Sequence, residues 1–358
     1  MIHLASPIIG EEEIGAVSRV MRSGMLAQGA EVAAFEEEFA DRFDAGTAAA
    51  VTNGTMALVM ALQAVGVDPG DEVIIPSFTF AATANAVALI GGVPIFADCD
   101  AISFNIDPAH TETLITSRTR AIVAVHLYGQ MAPMGELARL AGSHHLFLIE
   151  DAAQAHGATR NGLPVGALSD FSTYSFYPTK NMTTGEGGMV TSTNPDLIEA
   201  IRLQRNHGMQ RRYHHDLIGT NARMTDISAA IGRVQLTKIA GWNEQRREIA
   251  AIYDLHLAGI VDTPPVVENA DHVYHQYTIR SEQRDAIVAT CEEVGVGYGI
   301  YYPIPTHRQK AFARYATGRE LVETDRAAAT VLSIPIRPDL QQEEIEIVID
   351  TITTGAKK

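Results

Sequence analysis

Lys180 stands within Phe171–Ser192, FSTYSFYPTKNMTTGEGGMVTS, where strand-like alternation gives way to Tyr177-Pro178 and then to Gly185-Glu186-Gly187-Gly188, ahead of the short apolar run Met189-Val190. That pattern puts the lysine on a turn between two strands, with no helix to carry it outward. The other lysines are Lys238, Lys310, Lys357 and Lys358. Lys238 and Lys310 lie in polar helical surroundings and read as solvated charges, whereas Lys180 reads as placed. A lysine that is desolvated or has a cationic neighbour can shed its proton, and its amine then attacks carbonyls.

Two other clusters bear on that chemistry. Asn53-Gly54-Thr55 follows the buried strand segment Ala48–Val51 and opens a helix. Asparagine can cap, and the first N–H groups of the helix, Gly54 and Thr55 among them, form an anion site suited to a phosphate. Taken alone, the same residues make an ordinary strand-to-helix turn. The G-x-G-x-x-G of a dinucleotide site is absent, so a nicotinamide is not the natural ligand. Asp151 ends the apolar strand Leu146–Ile149, and Ala152, Ala153, Ala155 and Gly157 around it are small enough for a planar group to approach. Read singly, Asp151 serves equally well as a helix cap, but a buried charge needs a partner. A phosphate cradle, a carboxylate at a strand end and a lysine on a later turn together meet the needs of pyridoxal phosphate. The lysine binds its aldehyde, the aspartate keeps the pyridine nitrogen protonated, and the ring becomes an electron sink. Phe80 could stack on the ring face or simply fill the core.

These residues require elements to hold them. Glu11–Met21 and Glu31–Phe43 read as helices, each with apolar residues at helical spacing. Strands are expected at 48–51, 72–75, 93–96, 121–125 and 146–149, alternating with helices at 56–65, 79–90 and 134–141. Strands without polar alternation, separated by helices, predict an α/β fold with a mostly parallel sheet covered on both faces. Ligands of such sheets sit at the carboxyl ends of the strands, where Thr52–Thr55, Pro76–Phe80, His126–Gln130 and Asp151–His156 all fall. A helix at 195–205 is followed by a long one from Thr225-Asp226 towards Leu257. A smaller α+β unit then has a strand at 273–279, helix 284–294, strand 299–301 and a last helix at 341–351. The expected division is a large cofactor-binding domain, 1–240, and a small C-terminal domain, 241–358.

Taken in order, these pieces resemble the DegT/DnrJ/StrS-type sugar aminotransferases, pyridoxal-phosphate enzymes of the aspartate-aminotransferase fold (fold type I). The resemblance runs through Ser23-Gly24-x-x-x-Gln28-Gly29, Asn53-Gly54-Thr55-x-Ala57-Leu58, Pro76–Phe80, His126-Leu127-Tyr128-Gly129 and Glu150–Gly157. It continues through Ser175-Phe176-x-Pro178-Thr179-Lys180-Asn181, Gly185–Gly188 and Gly219-x-Asn221-x-Arg223-Met224. It implies that Lys180 bonds the cofactor, Asp151 pairs with the ring nitrogen, Gln154 contacts the phenolic oxygen and Phe80 covers the ring. Gly54, Thr55 and Ser175 would hold the phosphate, with Asn221 supplied by the other subunit of a homodimer. His307 resembles a position near the sugar, and Tyr302 is a second substrate-side candidate. The family often carries aromatic residues beside the asparagine, where this chain has Thr220 and Ala222.

The expected reaction is transfer of an amino group, from glutamate, to a keto group of a nucleotide-linked sugar. An aminotransferase for a keto-cyclitol, or a non-catalytic regulatory relative, are the alternatives. Lys180 argues against a 3-dehydratase, whose relatives carry histidine there. The net charge of −16 argues against a nucleic-acid partner. Cys99 and Cys291 suggest neither a disulfide framework nor a zinc knuckle. His144-His145 and His214-His215 are adjacent pairs that do not converge on one ion, so no metal is expected. With no signal-peptide pattern and no apolar window of membrane-span length, the expected location is the cytoplasm.

Overall fold

The computed structural model describes all 358 residues. In chain order the first half contains α1 (Glu11–Ser23), α2 (Ala30–Phe43), β1 (Thr47–Val51), α3 (Gly54–Ala64), β2 (Glu72–Pro76), α4 (Ala82–Leu89), β3 (Val93–Ala97), α5 (Pro108–Thr113), β4 (Thr119–Val125), α6 (Met134–Ser143) and β5 (Phe147–Asp151). Then come the short β6 (Thr159–Arg160) and β7 (Leu163–Pro164), followed by β8 (Phe171–Ser175), β9 (Gly188–Ser192), α7 (Pro195–Gln204), β10 (Met209–Arg211), β11 (His214–His215) and α8 (Asp226–Leu257). The remainder is β12 (Ala270–Asp271), β13 (Tyr277–Arg280), α9 (Arg284–Val294), α10 (Val322–Thr330), β14 (Val331–Ile334) and α11 (Gln342–Gly355).

Seven strands form one sheet in the order β1-β9-β8-β5-β4-β2-β3. β9 is antiparallel to both its neighbours, and the pairs among β8, β5, β4, β2 and β3 are parallel. The apolar strands explain this arrangement, because both faces of the sheet are buried. Ala48, Ala50, Ile74, Ile122, Ala124 and Leu148 pack against α2, α6 and α8 on one side. Their alternating neighbours Ala49, Val51, Val73, Ile75, Val123 and Ile149 pack against α3, α4 and α7 on the other. Lys180 lies on the connection from β8 to the antiparallel β9, as its neighbours predict.

α8 joins two cores over its 32 residues. Its first half sends Ala229, Leu236 and Ile239 into the sheet's core. Its second half sends Ile249, Tyr253 and Leu257 into a separate core with β13, β14, α9 and α11. Ile2 joins that second core, bridging Val296. The fit of α8 on α2 depends on Gly232, where an added Cβ would lie 2.6 Å from Cζ of the fully buried Phe35. Lys238, expected to be solvated, instead pairs with Glu12 at 2.6 Å and with the buried Glu13 at 2.9 Å.

Two expectations shift. The strand expected at 273–279 is regular only from Tyr277, because Val273–Gln276 gives its backbone to the segment that follows β4. Val273 N donates to Gly129 O at 3.0 Å and Gln276 N to Tyr128 O at 3.2 Å. The strand expected at 299–301 reduces to a bridge between Gly299 and Ser333. Gly232→Val should cost roughly 1–3 kcal/mol through overpacking against Phe35; a lower denaturant midpoint at unchanged m-value is the expected result.

Candidate active site

The carboxyl edge of the sheet gathers the ends of β1, β2, β4, β5 and β8, and Asn53 starts the construction there. Its side chain accepts from Met56 N at 2.9 Å and caps α3. Gly54 and Thr55 then present first-turn N–H groups that no intrahelical carbonyl can reach. Ser175, at the end of β8, closes on the same point: a Cβ on Gly54 would lie 2.8 Å from the Ser175 Cβ and 3.4 Å from its Oγ. Gly188, pairing with both Val51 and Ser175, leaves no room on the other side, since its own Cβ would meet the Asn53 carbonyl at 2.5 Å. Three elements thus converge on a small anion cradle rimmed by backbone N–H groups and one hydroxyl.

Asp151 ends β5 and is buried. Thr83 Oγ1 donates to its Oδ2 at 2.9 Å, and Ala153 N to its Oδ1 at 3.2 Å. Burial raises its pKa, while the bonds from Thr83 and Ala153 and the charges of Lys180 and His126 work against that rise. Lys180 is half-buried on its turn, its backbone N–H donating to Tyr177 O at 2.9 Å. Its ammonium makes no hydrogen bond or ion pair in the chain. Desolvation pulls its pKa down to about 8, against the pull of Asp151. The structure therefore brings an amine without a partner, a buried carboxylate and a cradle of backbone N–H groups to one edge.

Gln154 lies between two other groups: its Oε1 accepts from Tyr128 N at 2.6 Å and its Nε2 donates to the Tyr302 hydroxyl at 3.2 Å. Tyr302 also lies near Phe80, with ring centroids 6.0 Å apart and planes tilted by 38°. Phe80 is 60% exposed, which excludes simple core packing. His307 is turned the other way. Its Nδ1 lies 2.6 Å from Ser77 Oγ and its ring is 6.3 Å from that of Phe96. Asn221 is exposed, and only its backbone is engaged, in a bridge to Asn206.

Thr83 is absent from the sequence expectations. It belongs to the first turn of α4, and nothing in its spacing ties it to a carboxylate 68 residues away. Two arginines that could meet a donor's carboxylate by charge alone, Arg223 and Arg337, are both engaged within the chain: Arg223 with Asn206 Oδ1 at 2.5 Å, and Arg337 with Asp339 at 3.6 Å and Glu344 at 3.8 Å.

The donor set fits pyridoxal phosphate: a cradle that a Cβ on Gly54 would fill, a buried anion for a ring nitrogen, and a lysine with nothing else to bond. Fold and site together define a pyridoxal-phosphate-dependent aminotransferase of fold type I. Residues 7–353 match the DegT/DnrJ/EryC1/StrS aminotransferase family, and the chain belongs to that family. It is 43% identical over 343 residues to a pleiotropic regulatory protein of Geobacillus stearothermophilus, covering 94% of this chain and 92% of that one. It is 39% identical to a UDP-N-acetyl-3-dehydro-α-D-glucosamine 3-aminotransferase of Acidithiobacillus ferrooxidans, covering 96% and 93%. Among solved structures, S. venezuelae DesV in complex with a ketimine intermediate superposes with a TM-score of 0.94 at 38% identity, covering 97% of this chain and 95% of that one.

Thr83→Val should weaken cofactor retention about tenfold, the scale of one hydrogen bond to a charged group; titration of the apo-protein with pyridoxal phosphate measures it.

Proposed function

We propose that this chain transfers an amino group from glutamate to a keto group of a nucleotide-linked sugar, as a cytoplasmic homodimer. The observation that carries the reading is Lys180, half-buried and free of any partner at the sheet edge that also holds Asp151 and the Gly54–Ser175 cradle. Bound pyridoxal phosphate supplies the electron sink that allows a C–H bond next to an amine to break. Gly54, Thr55 and Ser175 would hold its phosphate, Asp151 would offset the charge of its ring nitrogen, and Gln154 would contact its phenolic oxygen. Lys180 Nζ would take the proton from the donor's α-carbon and deliver it to the cofactor's former aldehyde carbon, so that hydrolysis releases the keto acid and leaves the amino group behind; the reverse sequence would aminate the sugar ketone. Because burial pulls the Lys180 pKa down to about 8, more of it is free amine near neutral pH than of an ordinary lysine, as a base and nucleophile require.

The relatives support a nucleotide-sugar substrate, since the A. ferrooxidans protein bears that substrate in its name. Tyr302 and His307 are the proposed substrate-side residues, Tyr302 directly through its place between Gln154 and Phe80. Asn221 supports the dimer: an exposed amide at the rim suits a contact to a partner's phosphate. No helix is long and apolar enough to cross a membrane. The two cysteines are free and buried, as suits a reducing compartment.

The name of the G. stearothermophilus relative favours a second reading, a regulatory protein that binds the cofactor without turnover. One measurement separates the two: an enzyme purified yellow should bleach on addition of glutamate, and a regulator should not. Lys180→Ala should lose both the cofactor's bound absorbance and all amino transfer; a variant that still turned over would sink the assignment. Uptake of pyridoxal phosphate by apo-protein should quicken about tenfold per pH unit below about 8 and level off above it, because only the free amine reacts. Stopped-flow absorbance across that range checks the sign.

A further inference from the structure

α8 buries two amides, Gln235 and Asn243, about two turns apart. Asparagine is a poor helix former, and a buried amide costs free energy unless its groups are bonded, so apolar packing alone does not account for Asn243 in mid-helix. Its Nδ2 donates to the His156 carbonyl at 2.9 Å. Its Oδ1 accepts from Asn181 Nδ2, also at 2.9 Å, and the same Asn181 nitrogen donates to the Val273 carbonyl at 2.9 Å. Carbonyls only accept, so the orientation of both amides is dictated. Gln235 grips the same loop beyond Asn181, its Oε1 accepting from Thr183 N at 3.3 Å.

These bonds reach the two stretches that carry the chemistry. The Lys180 turn is closed at its neck, where Phe176 O accepts from Thr184 N at 3.0 Å and from Thr183 Oγ1 at 2.8 Å, and Phe176 N donates to Gly187 O at 2.9 Å. The backbone bond of Lys180 itself, to Tyr177 O, stays within the turn. Met182 is buried in the sheet's core, and Asn181 and Thr183 on either side of it make the polar bonds that lead out to α8. His156 closely follows Asp151 and Gln154 in a compact stretch, where Ala155 N donates to Ala152 O at 2.9 Å and Ala158 N to Ala155 O at 3.0 Å. One side chain from a third element therefore clasps the Lys180 turn to the stretch that follows Asp151.

We propose that Asn243 is a positioning residue for amino transfer: its amide sets the spacing between the Lys180 turn and the Asp151–His156 stretch, so that the amine and the carboxylate meet one cofactor in register. Asn243 makes no hydrogen bond to Lys180 or Asp151 and acts through Asn181 and the His156 carbonyl. A proton passed between held groups depends on their placement, and a shift of about 1 Å can cost about a hundredfold in rate. The role rests on Lys180 and Asp151 serving the proposed aminotransferase as described.

Asn243→Ala cuts the clasp and leaves the cradle of Gly54, Thr55 and Ser175 in place. The holoenzyme should still be yellow, while glutamate should bleach it about a hundredfold more slowly at an unchanged half-saturating concentration. Gly232→Val, on the same helix, is the comparison: it should lower the denaturant midpoint yet bleach as fast as the unaltered chain. An Asn243→Ala protein that bleaches as fast as Gly232→Val, or that folds but takes up no cofactor, makes the clasp structural only and overturns the proposal. Should Asn243→Ala fail to fold, hydrogen exchange of the unaltered apo-protein decides. The amides of Lys180 and Thr184 on the turn, and of Ala155 and Ala158 beyond β5, should open with one common free energy, as a single cooperative unit. Separate opening of the two stretches overturns the proposal. An unaltered chain that never yellowed with pyridoxal phosphate, or never bleached with glutamate, would sink the aminotransferase reading, while the exchange pattern would still test the clasp.

Discussion

A cation and an anion, Lys180 and Asp151, share the water-poor carboxyl edge of one sheet, and much of the molecule is arranged around the cost of keeping them there. Isolated charges removed from water are expensive, and each tends to neutralise instead. Here burial moves the two in opposite directions, Asp151 up and Lys180 down to about 8, while their mutual attraction opposes both shifts. Thr83 and Ala153 supply Asp151 with donors, which work against the rise that burial imposes on it. Lys180 has no such donors or acceptors settled on it, which leaves its nitrogen available.

The scaffold makes this arrangement stiff. The strand ends are set by a sheet buried on both faces, and the Lys180 turn is clamped where β8 passes into the antiparallel β9. Gly54, Ser175 and Gly188 touch so closely that the cradle has no room for a side chain at either glycine. The C-terminal part of the chain contributes through its backbone: Val273 and Gln276 pair with Gly129 and Tyr128 rather than with a neighbouring strand. The same segment carries His275, whose Nδ1 lies 3.2 Å from Asn181 Oδ1, next in the chain to Lys180.

His307 shows why a resemblance does not settle geometry. The position matches a family pattern, yet the ring turns to Ser77 and Phe96, tying the 301–308 segment to the end of β2. Thr306 reinforces that tie, its N–H donating to Ser77 O and its hydroxyl to Thr79 O, each at 3.0 Å. Such a residue can shape the substrate side by holding Tyr302 in place as much as by touching a ligand.

Much of the fold was legible in the residues alone, because unbroken apolar strands alternating with amphipathic helices leave few ways to bury both faces. The turn position of Lys180, the cap at Asn53 and the strand-end position of Asp151 follow from local pattern. Thr83 was not legible, since its bond to Asp151 joins a helix and a strand that only the sheet order makes neighbours. The irregular Val273–Gln276 read as strand because its residues favour extended backbone, and only packing against Tyr128 and Gly129 diverted its hydrogen bonds. The setting of Asn181 lies furthest from sequence, because its amide is held by Asn243 of α8 and the Val273 carbonyl at once. Residue type and spacing determined which groups could do chemistry; tertiary packing decided their protonation and their partners, because burial and long-range hydrogen bonds exist only once the chain has closed.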